Sequence, residues 1–217
     1  MSGPKLTYFP LAGRGELTRL VAAAGGVELE VAMPENWREF CSEKGMPEML
    51  PVLDHGDLVL GQSGAIERYI ASLSPTYSTL TPAQKAIDDM FCCTKEDSIL
   101  SFGRLVFRAP ETCPEEVPKV IDKLYAFLES RVPADGGYVN GLEFPTLADL
   151  VVFNMIRAMM PHNAAFKLAG AGVAESLEAK CPKMCKLADK VAQAPGVKEY
   201  LATSTSLLAT PPGLTLP

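Results

Sequence analysis

Histidine is scarce in this chain, and its cysteines are not spaced as metal ligands. The two histidines, His55 and His162, disfavour a Ser-His-Asp or Cys-His hydrolytic site. The six cysteines form no C-x-x-C pair and no zinc-type spacing with histidine, although Cys181 and Cys185 are one helical turn apart. We therefore expect no metal site, and we interpret the cysteines as reduced side chains.

Clusters of positive charge and long apolar runs are also missing. The net charge is −6, the pI is near 5.1, and no stretch has more than two adjacent Lys or Arg residues, so a nucleic-acid partner has no electrostatic basis. No apolar run reaches the ~18 residues of a membrane span. The segment Met1–Phe9 lacks the apolar core of a secretory signal. The sequence predicts a cytoplasmic protein that binds neither nucleic acid nor membrane.

The composition is that of an ordinary folded protein. Of 217 residues, 47% are hydrophobic and 21% charged, which argues against wholesale disorder. A chain of this length buries roughly 70% of its unfolded surface, so it needs neither disulfides nor metal to fold. The length suits two small domains.

Residues 1–74 alternate between strand and helix patterns. The pattern is β-α-β, a long polar connection that contains Trp37, and then β-β-α. The ten-residue helix between the first two strands predicts that they are parallel. The predicted elements are strands Lys5–Phe9 and Val27–Val31 around helix Glu16–Ala24, a hairpin of Leu50–Leu53 and Leu58–Leu60 with a four-residue turn, and a helix from Gln62-Ser63 to Leu73.

The composition changes at residues 75–82, a Pro- and Thr-rich linker. Every periodic segment of the remaining domain, 83–217, is helical. Helices are predicted over roughly 83–108, 115–131, 147–160, 173–194 and 197–203. The fold class is therefore α+β, with a small α/β domain followed by an all-helical one.

Four local patterns indicate a functional residue or a helix cap. Pro51 either begins a strand in the trans form or adopts a cis bond that turns the preceding backbone towards a ligand. Gln62-Ser63 opens a helix, with Ser63 as N-cap, and either only caps it or binds an anion. Tyr8 beside Arg14 is either a core aromatic or a hydroxyl tuned by a guanidinium. Thr146–Asp149 matches a capping box, a purely structural device.

Together these segments resemble the cytosolic glutathione transferases, and the opening is most similar to the sigma class. The likeness is carried by Lys5–Phe9 with Gly13–Glu16, by Leu50–Leu53, by Gln62–Ile70, by the capping box, and by Cys181–Leu201. The resemblance implies a thioredoxin-like first domain that binds glutathione as co-substrate, with no cofactor. It also implies that Tyr8 donates to the glutathione sulfur and that Arg14 lowers the pKa of that tyrosine.

The resemblance implies further glutathione ligands in the first domain. Ser63 and Gln62 face the γ-glutamyl carboxylate, and the backbone at Leu50, beside Met49 and a cis Pro51, pairs with the cysteinyl amide. Trp37 faces the glycyl end. The lysine usual after this tryptophan is replaced by Cys41, so Lys44 is expected to bind the glycyl carboxylate.

The helical domain is expected to supply the electrophile pocket and a dimer contact. The pocket is predicted near Ser101–Phe107 and Met155–His162. The resemblance implies a homodimer in which Asp97, or Glu96 if the helix register differs by one, reaches the partner's active site and meets the glutathione ammonium.

The sequence thus predicts a glutathione transferase that acts on small hydrophobic electrophiles. Two alternatives stay open. One is a glutathione-dependent isomerase or peroxidase, which uses the same thiolate. The other is an inactive structural or ligand-binding relative.

Overall fold

The computed structural model describes residues 3–157 and 159–206. The ends of the predicted domains at 1–2 and 207–217, and position 158 of a predicted helix, lie outside the described residues. The strands are β1 Lys5–Thr7, β2 Glu30–Ala32, β3 Val52–His55 and β4 Leu58–Gly61. The helices are α1 Glu16–Gly25, α2 Trp37–Glu43, α3 Ser63–Leu73, α4 Pro82–Arg108, α5 Cys113–Val120, α6 Ala126–Glu129, α7 Leu147–Ile156, α8 His162–Ala169, α9 Gly172–Lys180, α10 Pro182–Ala192 and α11 Val197–Thr203.

The four strands form one mixed sheet in the order β2-β1-β3-β4. Strands β1 and β2 are parallel, as predicted, and β3 is antiparallel to both β1 and β4. The turn of the hairpin has two residues rather than four, because pairing continues to His55 opposite Leu58. The α+β fold class predicted from the sequence is confirmed.

The first compact unit packs α1 and α3 together beside this sheet. Helix α1 buries Leu17, Leu20 and Val21 at helical spacing, and α3 buries Ile66 and Ile70. Glycine ends α1 because Gly26 adopts φ +65°, a left-handed conformation that glycine reaches without strain. The polar connection after β2, which the sequence left unassigned, contains α2.

Every regular element in the described part of the second compact unit is a helix. Helix α7 is apolar on all sides and packs against both α4 and α10. A short π-helical segment, 121–125, joins α5 to α6 after the internal Pro118. The predicted helix 173–194 is two helices, since Pro182 begins α10, and α8 was not predicted.

The boundary between the units differs from the predicted one at the C-terminal end. Residues 3–80 and 195–206 form the first unit, and 81–194 form the second. Helix α11, which the sequence assigned to the helical domain, therefore joins the α/β unit. Its start approaches α1 so closely that a Cβ on Gly196 would lie 2.2 Å from the Ala23 carbonyl oxygen. Within the predicted linker 75–82, Tyr77–Thr79 forms a 3₁₀ turn.

None of the described helices combines the length and apolar character that crossing a bilayer requires.

Candidate functional site

The sheet register brings three sequence-predicted segments to one end of the sheet. Thr7 of β1 pairs with Val52 of β3, and Val52 pairs with Gly61 of β4. Because these pairs are antiparallel, the residue after Thr7, the residue before Val52 and the residue after Gly61 emerge side by side. Those residues are Tyr8, Pro51 and Gln62.

Tyr8 lies directly after β1 and is 7% exposed. Its backbone N–H donates to the Ala32 carbonyl at 3.0 Å, which continues the pairing of β1 with β2. The backbone N–H of Arg14 donates to the Tyr8 hydroxyl oxygen at 2.8 Å. A phenol has one proton to donate, so an oxygen that already accepts keeps its O–H for a third group.

Two glycines make room for the Tyr8 ring. A Cβ on Gly13 would lie 2.5 Å from the Tyr8 hydroxyl oxygen, and one on Gly15 would lie 2.5 Å from its Cδ1. Both distances are too short for real contacts, so this loop closes around Tyr8 only with glycine on either side of Arg14.

Burial raises the pKa of Tyr8 above its usual value of 10 and outweighs the effect of Arg14, which lowers it as expected. The Arg14 backbone N–H and the nearby charges of Arg19 and Arg14 oppose the effect of burial without overcoming it. The hydroxyl is therefore protonated at neutral pH, and its proton is available for donation. The backbone N–H of Arg14 lowers the pKa of Tyr8 more than the charge of its guanidinium does.

A buried ion pair beside this loop was not predicted. Arg19 donates to Glu16 at 2.9 Å, and both side chains are at least 94% buried. Arg19 also donates to the carbonyls of Phe9 at 2.8 Å and Leu11 at 3.0 Å, and its guanidinium lies 5.6 Å from the centre of the Tyr8 ring. The i,i+3 spacing of Glu16 and Arg19 is visible in the sequence, but such a pair is typical of exposed helix faces.

Trp37, the first residue of α2, is linked to the tyrosine loop through Phe9. The Phe9 and Trp37 rings meet edge to face at 5.8 Å, and Arg38 lies 4.5 Å over the indole. Asn36 caps the helix by accepting from the Glu39 N–H at 3.3 Å. The cap orients Trp37, a predicted glycyl-end residue, towards Phe9 in the same unit as Tyr8.

The Leu50–Pro51 peptide bond is cis, as predicted. It directly precedes β3, and the neighbouring Met49 is 47% exposed. The Met49 carbonyl accepts a weak hydrogen bond from the Cys41 thiol, with sulfur and oxygen 3.7 Å apart. The Cys41 thiol thus links the loop before β3 to α2.

Gln62, not Ser63, is the residue before α3, which corrects the predicted N-cap. Gln62 adopts φ +66°, and it has the only positive φ of a non-glycine residue in the described chain. Such a conformation costs roughly 1–3 kcal/mol and is concentrated at functional sites. Ser63 is the buried first residue of the helix, where backbone N–H groups and the helix dipole favour an anion.

The remaining predicted ligands lie elsewhere. Lys44 forms an ion pair with Asp54 of β3, so its ammonium already has a partner in this structure. Asp97 is exposed on α4 in the second unit, beside a groove of about 580 Å³ that Leu100 and Lys123 help to line. In the predicted electrophile segments, Phe107 is exposed, whereas Met155 and Met159 are buried core residues.

No group of three His, Cys, Asp or Glu side chains in the described chain is placed to hold a metal ion.

Two family models together match most of the chain. The model of the glutathione S-transferase N-terminal domain matches residues 4–72, and that of the C-terminal domain matches residues 96–204. This chain belongs to the glutathione S-transferase family. It is a transferase with the thioredoxin-like fold of that family, which uses glutathione as co-substrate and no cofactor.

Individual relatives agree with this assignment. A glutathione S-transferase of Plasmodium falciparum is 34% identical over 69% of this chain and 77% of its own length. A protein of Dictyostelium discoideum named putative glutathione S-transferase alpha-2 is 27% identical over 92% of this chain and 94% of its own. A Caenorhabditis elegans glutathione S-transferase structure covers 94% of this chain and 99% of its own, with 26% identity and a TM-score of 0.71.

Proposed function

We propose that this enzyme conjugates glutathione to small hydrophobic electrophiles, with Tyr8 stabilising the glutathione thiolate. The observation that carries the proposal is the register that sets Tyr8 beside Pro51, which follows the cis bond, and beside Gln62, which precedes α3. An extended peptide running along this end would meet a hydroxyl donor, an exposed backbone edge and a helix N-terminus in turn.

The chemistry required of Tyr8 is modest. A thiol with a pKa of about 8.5 is only a few per cent thiolate at neutral pH. One hydrogen bond from a buried hydroxyl favours the anion, and lowering the thiol pKa by about two units, about 2.7 kcal/mol, makes the thiolate the major form. The Arg14 N–H, which donates to the Tyr8 oxygen at 2.8 Å, polarises the hydroxyl and strengthens this bond.

The other ligands follow from the same placement. The backbone at Leu50, flanked by Met49, pairs with the cysteinyl unit of glutathione as an added strand would. Ser63 and Gln62 take the γ-glutamyl carboxylate at the N-terminus of α3. Trp37 faces the glycyl end, and Lys44 takes the glycyl carboxylate by leaving its ion pair with Asp54.

The proposal extends to assembly, class and location. We assign the chain to the sigma class from Lys5–Phe9 and Gly13–Glu16, and we expect a cytoplasmic homodimer. In that dimer Asp97 meets the glutathione ammonium bound to the partner, since α4 presents this carboxylate to solvent.

Replacing Tyr8 by Phe tests the proposed role of the hydroxyl. With glutathione and a chlorodinitrobenzene at about pH 6.5, we expect kcat/KM to fall roughly 10- to 100-fold, the value of one hydrogen bond to a charged group. The loss should shrink above pH ~8.5, where the thiol ionises unaided.

Tyr69→Phe is the matched control, because it removes a hydroxyl that is hydrogen-bonded to His55 at 2.8 Å in the same unit. Full activity of the Tyr8→Phe variant at the lower pH contradicts the proposal, and so does a wild-type protein with no turnover.

Replacing Asp97 by Ala tests the cross-subunit contact. We expect the Kd for glutathione to rise about 10- to 100-fold, the effect of losing a charge-assisted hydrogen bond of ~1.5–3 kcal/mol, with helix content unchanged. Sedimentation of the wild-type protein should give a dimer. A monomer with full activity would exclude both the dimer and this role of Asp97.

A further inference from the structure

The carboxylate of Glu16 joins the C-terminal helix to the loop that carries Tyr8. Its Oε1 accepts from the Tyr200 hydroxyl at 2.5 Å, and its Oε2 accepts from the Ser206 hydroxyl at 2.9 Å. The same Oε2 accepts from Arg19 at 2.9 Å. Glu16 is completely buried, so each of these bonds acts away from water.

Arg19 links Glu16 to the backbone next to Tyr8 through two hydrogen bonds. Its second guanidinium nitrogen donates to the Phe9 carbonyl at 2.8 Å, and the first donates to the Leu11 carbonyl at 3.0 Å. These carbonyls stand on either side of Pro10, immediately after Tyr8. The orientation of one guanidinium therefore sets the path of the loop that returns to Arg14.

The C-terminal segment is itself fixed at two further points. The Ala12 N–H donates to the Ser206 carbonyl at 2.9 Å, so the segment also bonds the loop directly. Val197 is completely buried, and the close approach at Gly196 sets α11 against α1. Tyr200 thus lies on a segment that is held against α1 and hydrogen-bonded to the loop.

We propose that Tyr200 is a positioning residue for Tyr8, which acts by holding Glu16 and, through it, the Arg19 guanidinium that anchors the loop. The catalytic meaning of this role rests on the function proposed above. The hydroxyl is suited to the task because burial, with the adjacent Glu16 carboxylate, raises the pKa of Tyr200 to about 12. The hydroxyl is therefore protonated, and able to donate, at neutral pH.

Tyr200→Phe tests the proposal, since it removes one hydroxyl and keeps the ring. We expect kcat to fall roughly three- to tenfold, the value of one hydrogen bond, with the KM for glutathione within about twofold of wild type. Tyr69→Phe is again the control, because its lost bond to His55 is not connected to the loop.

A second readout follows the loop without turnover. Trp37 is the only tryptophan, and its ring meets Phe9 of this loop, so its fluorescence reports the loop position. We expect Tyr200→Phe, and not Tyr69→Phe, to change the emission of Trp37 and its response to added glutathione. Equal kcat and equal Trp37 emission in the two variants would overturn the proposal.

The two readouts also separate this inference from the proposed function. If the wild-type protein lacks turnover, the proposed function fails. The comparison of Trp37 emission still tests whether Tyr200 positions the Tyr8 loop. If Tyr200→Phe does not fold, Ser206→Ala removes the other hydroxyl from Glu16 and is measured in the same way. A Ser206→Ala variant with wild-type emission and kcat would then overturn the proposal that hydrogen bonds to Glu16 position the Tyr8 loop.

Discussion

Helices α1 and α7 each carry a completely buried carboxylate in the first turn, and different kinds of hydrogen-bond donor stabilise the two acids. Glu16, the first residue of α1, is compensated by Arg19 at 2.9 Å. Asp149, the third residue of α7, accepts from the backbone N–H groups of Val139 and Thr146, each at 2.8 Å, and from the Thr146 hydroxyl at 3.2 Å. One acid is held by a cation, and the other by uncharged donors.

This difference separates a positioning device from a structural cap. Burial, and the charge of Asp88, raise the pKa of Asp149 to about 6 despite its hydrogen bonds. Asp88 itself caps α7 by accepting from the Ala148 N–H at 3.0 Å. Asp149 and Asp88, which belongs to α4, both accept from backbone N–H groups at the start of α7. The ion pair of α1 instead reaches outward to the Tyr8 loop and to α11.

Breaking the α1 pair should have the largest effect on stability. Arg19→Met leaves Glu16 buried without its cation, and we expect the free energy of unfolding to fall by about 3–5 kcal/mol in urea titrations. Arg38→Met removes the exposed pair with Glu48, at 3.3 Å, and should change it by less than about 1 kcal/mol. Equal losses in the two variants would refute the contrast between buried and exposed pairs.

Titrating the α7 acid should have the next largest effect. Because the pKa of Asp149 in the folded state, about 6, exceeds its ordinary value of 3.8, the folded protein keeps a proton that the unfolded chain has released. Stability due to this group therefore falls as pH rises from about 4 to 6, by about 3 kcal/mol.

The measurement compares wild type with Asp149→Asn at each pH. Burial lowers the pKa of His162 from 6.5 to about 4, so its contribution to stability rises with pH over the same window. Since both proteins contain His162, the difference between them isolates Asp149. A difference in the free energy of unfolding that does not vary with pH would contradict this account.

Crowding the Tyr8 hydroxyl should have the smallest effect on stability and a clear one on rate. In Gly13→Ala the new Cβ would lie 2.5 Å from that oxygen, so the ring must move. We expect a loss of about 1–3 kcal/mol in stability and roughly tenfold in kcat. Gly172→Ala, with open space around its Cβ, is the control. A Gly13→Ala variant as active as the control would show that the loop tolerates displacement of Tyr8.

Local signals predicted the parts of the fold that depend on short-range chemistry. Three features were readable from nearby residues: the Gly25-Gly26 stop at the end of α1, the capping box of α7, and the parallel pairing of β1 with β2. Helix α2 was missed because Trp37–Glu43 is mostly polar, although the Asn36 and Glu39 spacing of its cap was present. Helix α8 was missed because it is short and directly follows Pro161.

In the candidate site too, nearby residues predicted some features, whereas contacts between distant residues were missed. Tyr8, Pro51 and Gln62 were predicted, and antiparallel pairing explains why they share one end of the sheet. The connection from Tyr200 to Glu16 spans 184 residues, and no local pattern indicates it. The change of unit by α11 has the same origin, since it depends on contacts that only the folded chain brings together.

The pKa of the thiol of bound glutathione tests the central claim most directly. Ultraviolet absorbance of the thiolate, followed against pH, gives this value for wild type and for Tyr8→Phe without any electrophile. The account predicts a pKa about two units below the free value of about 8.5 in wild type, and a return close to that value in the variant. The same thiol pKa in both proteins would contradict it.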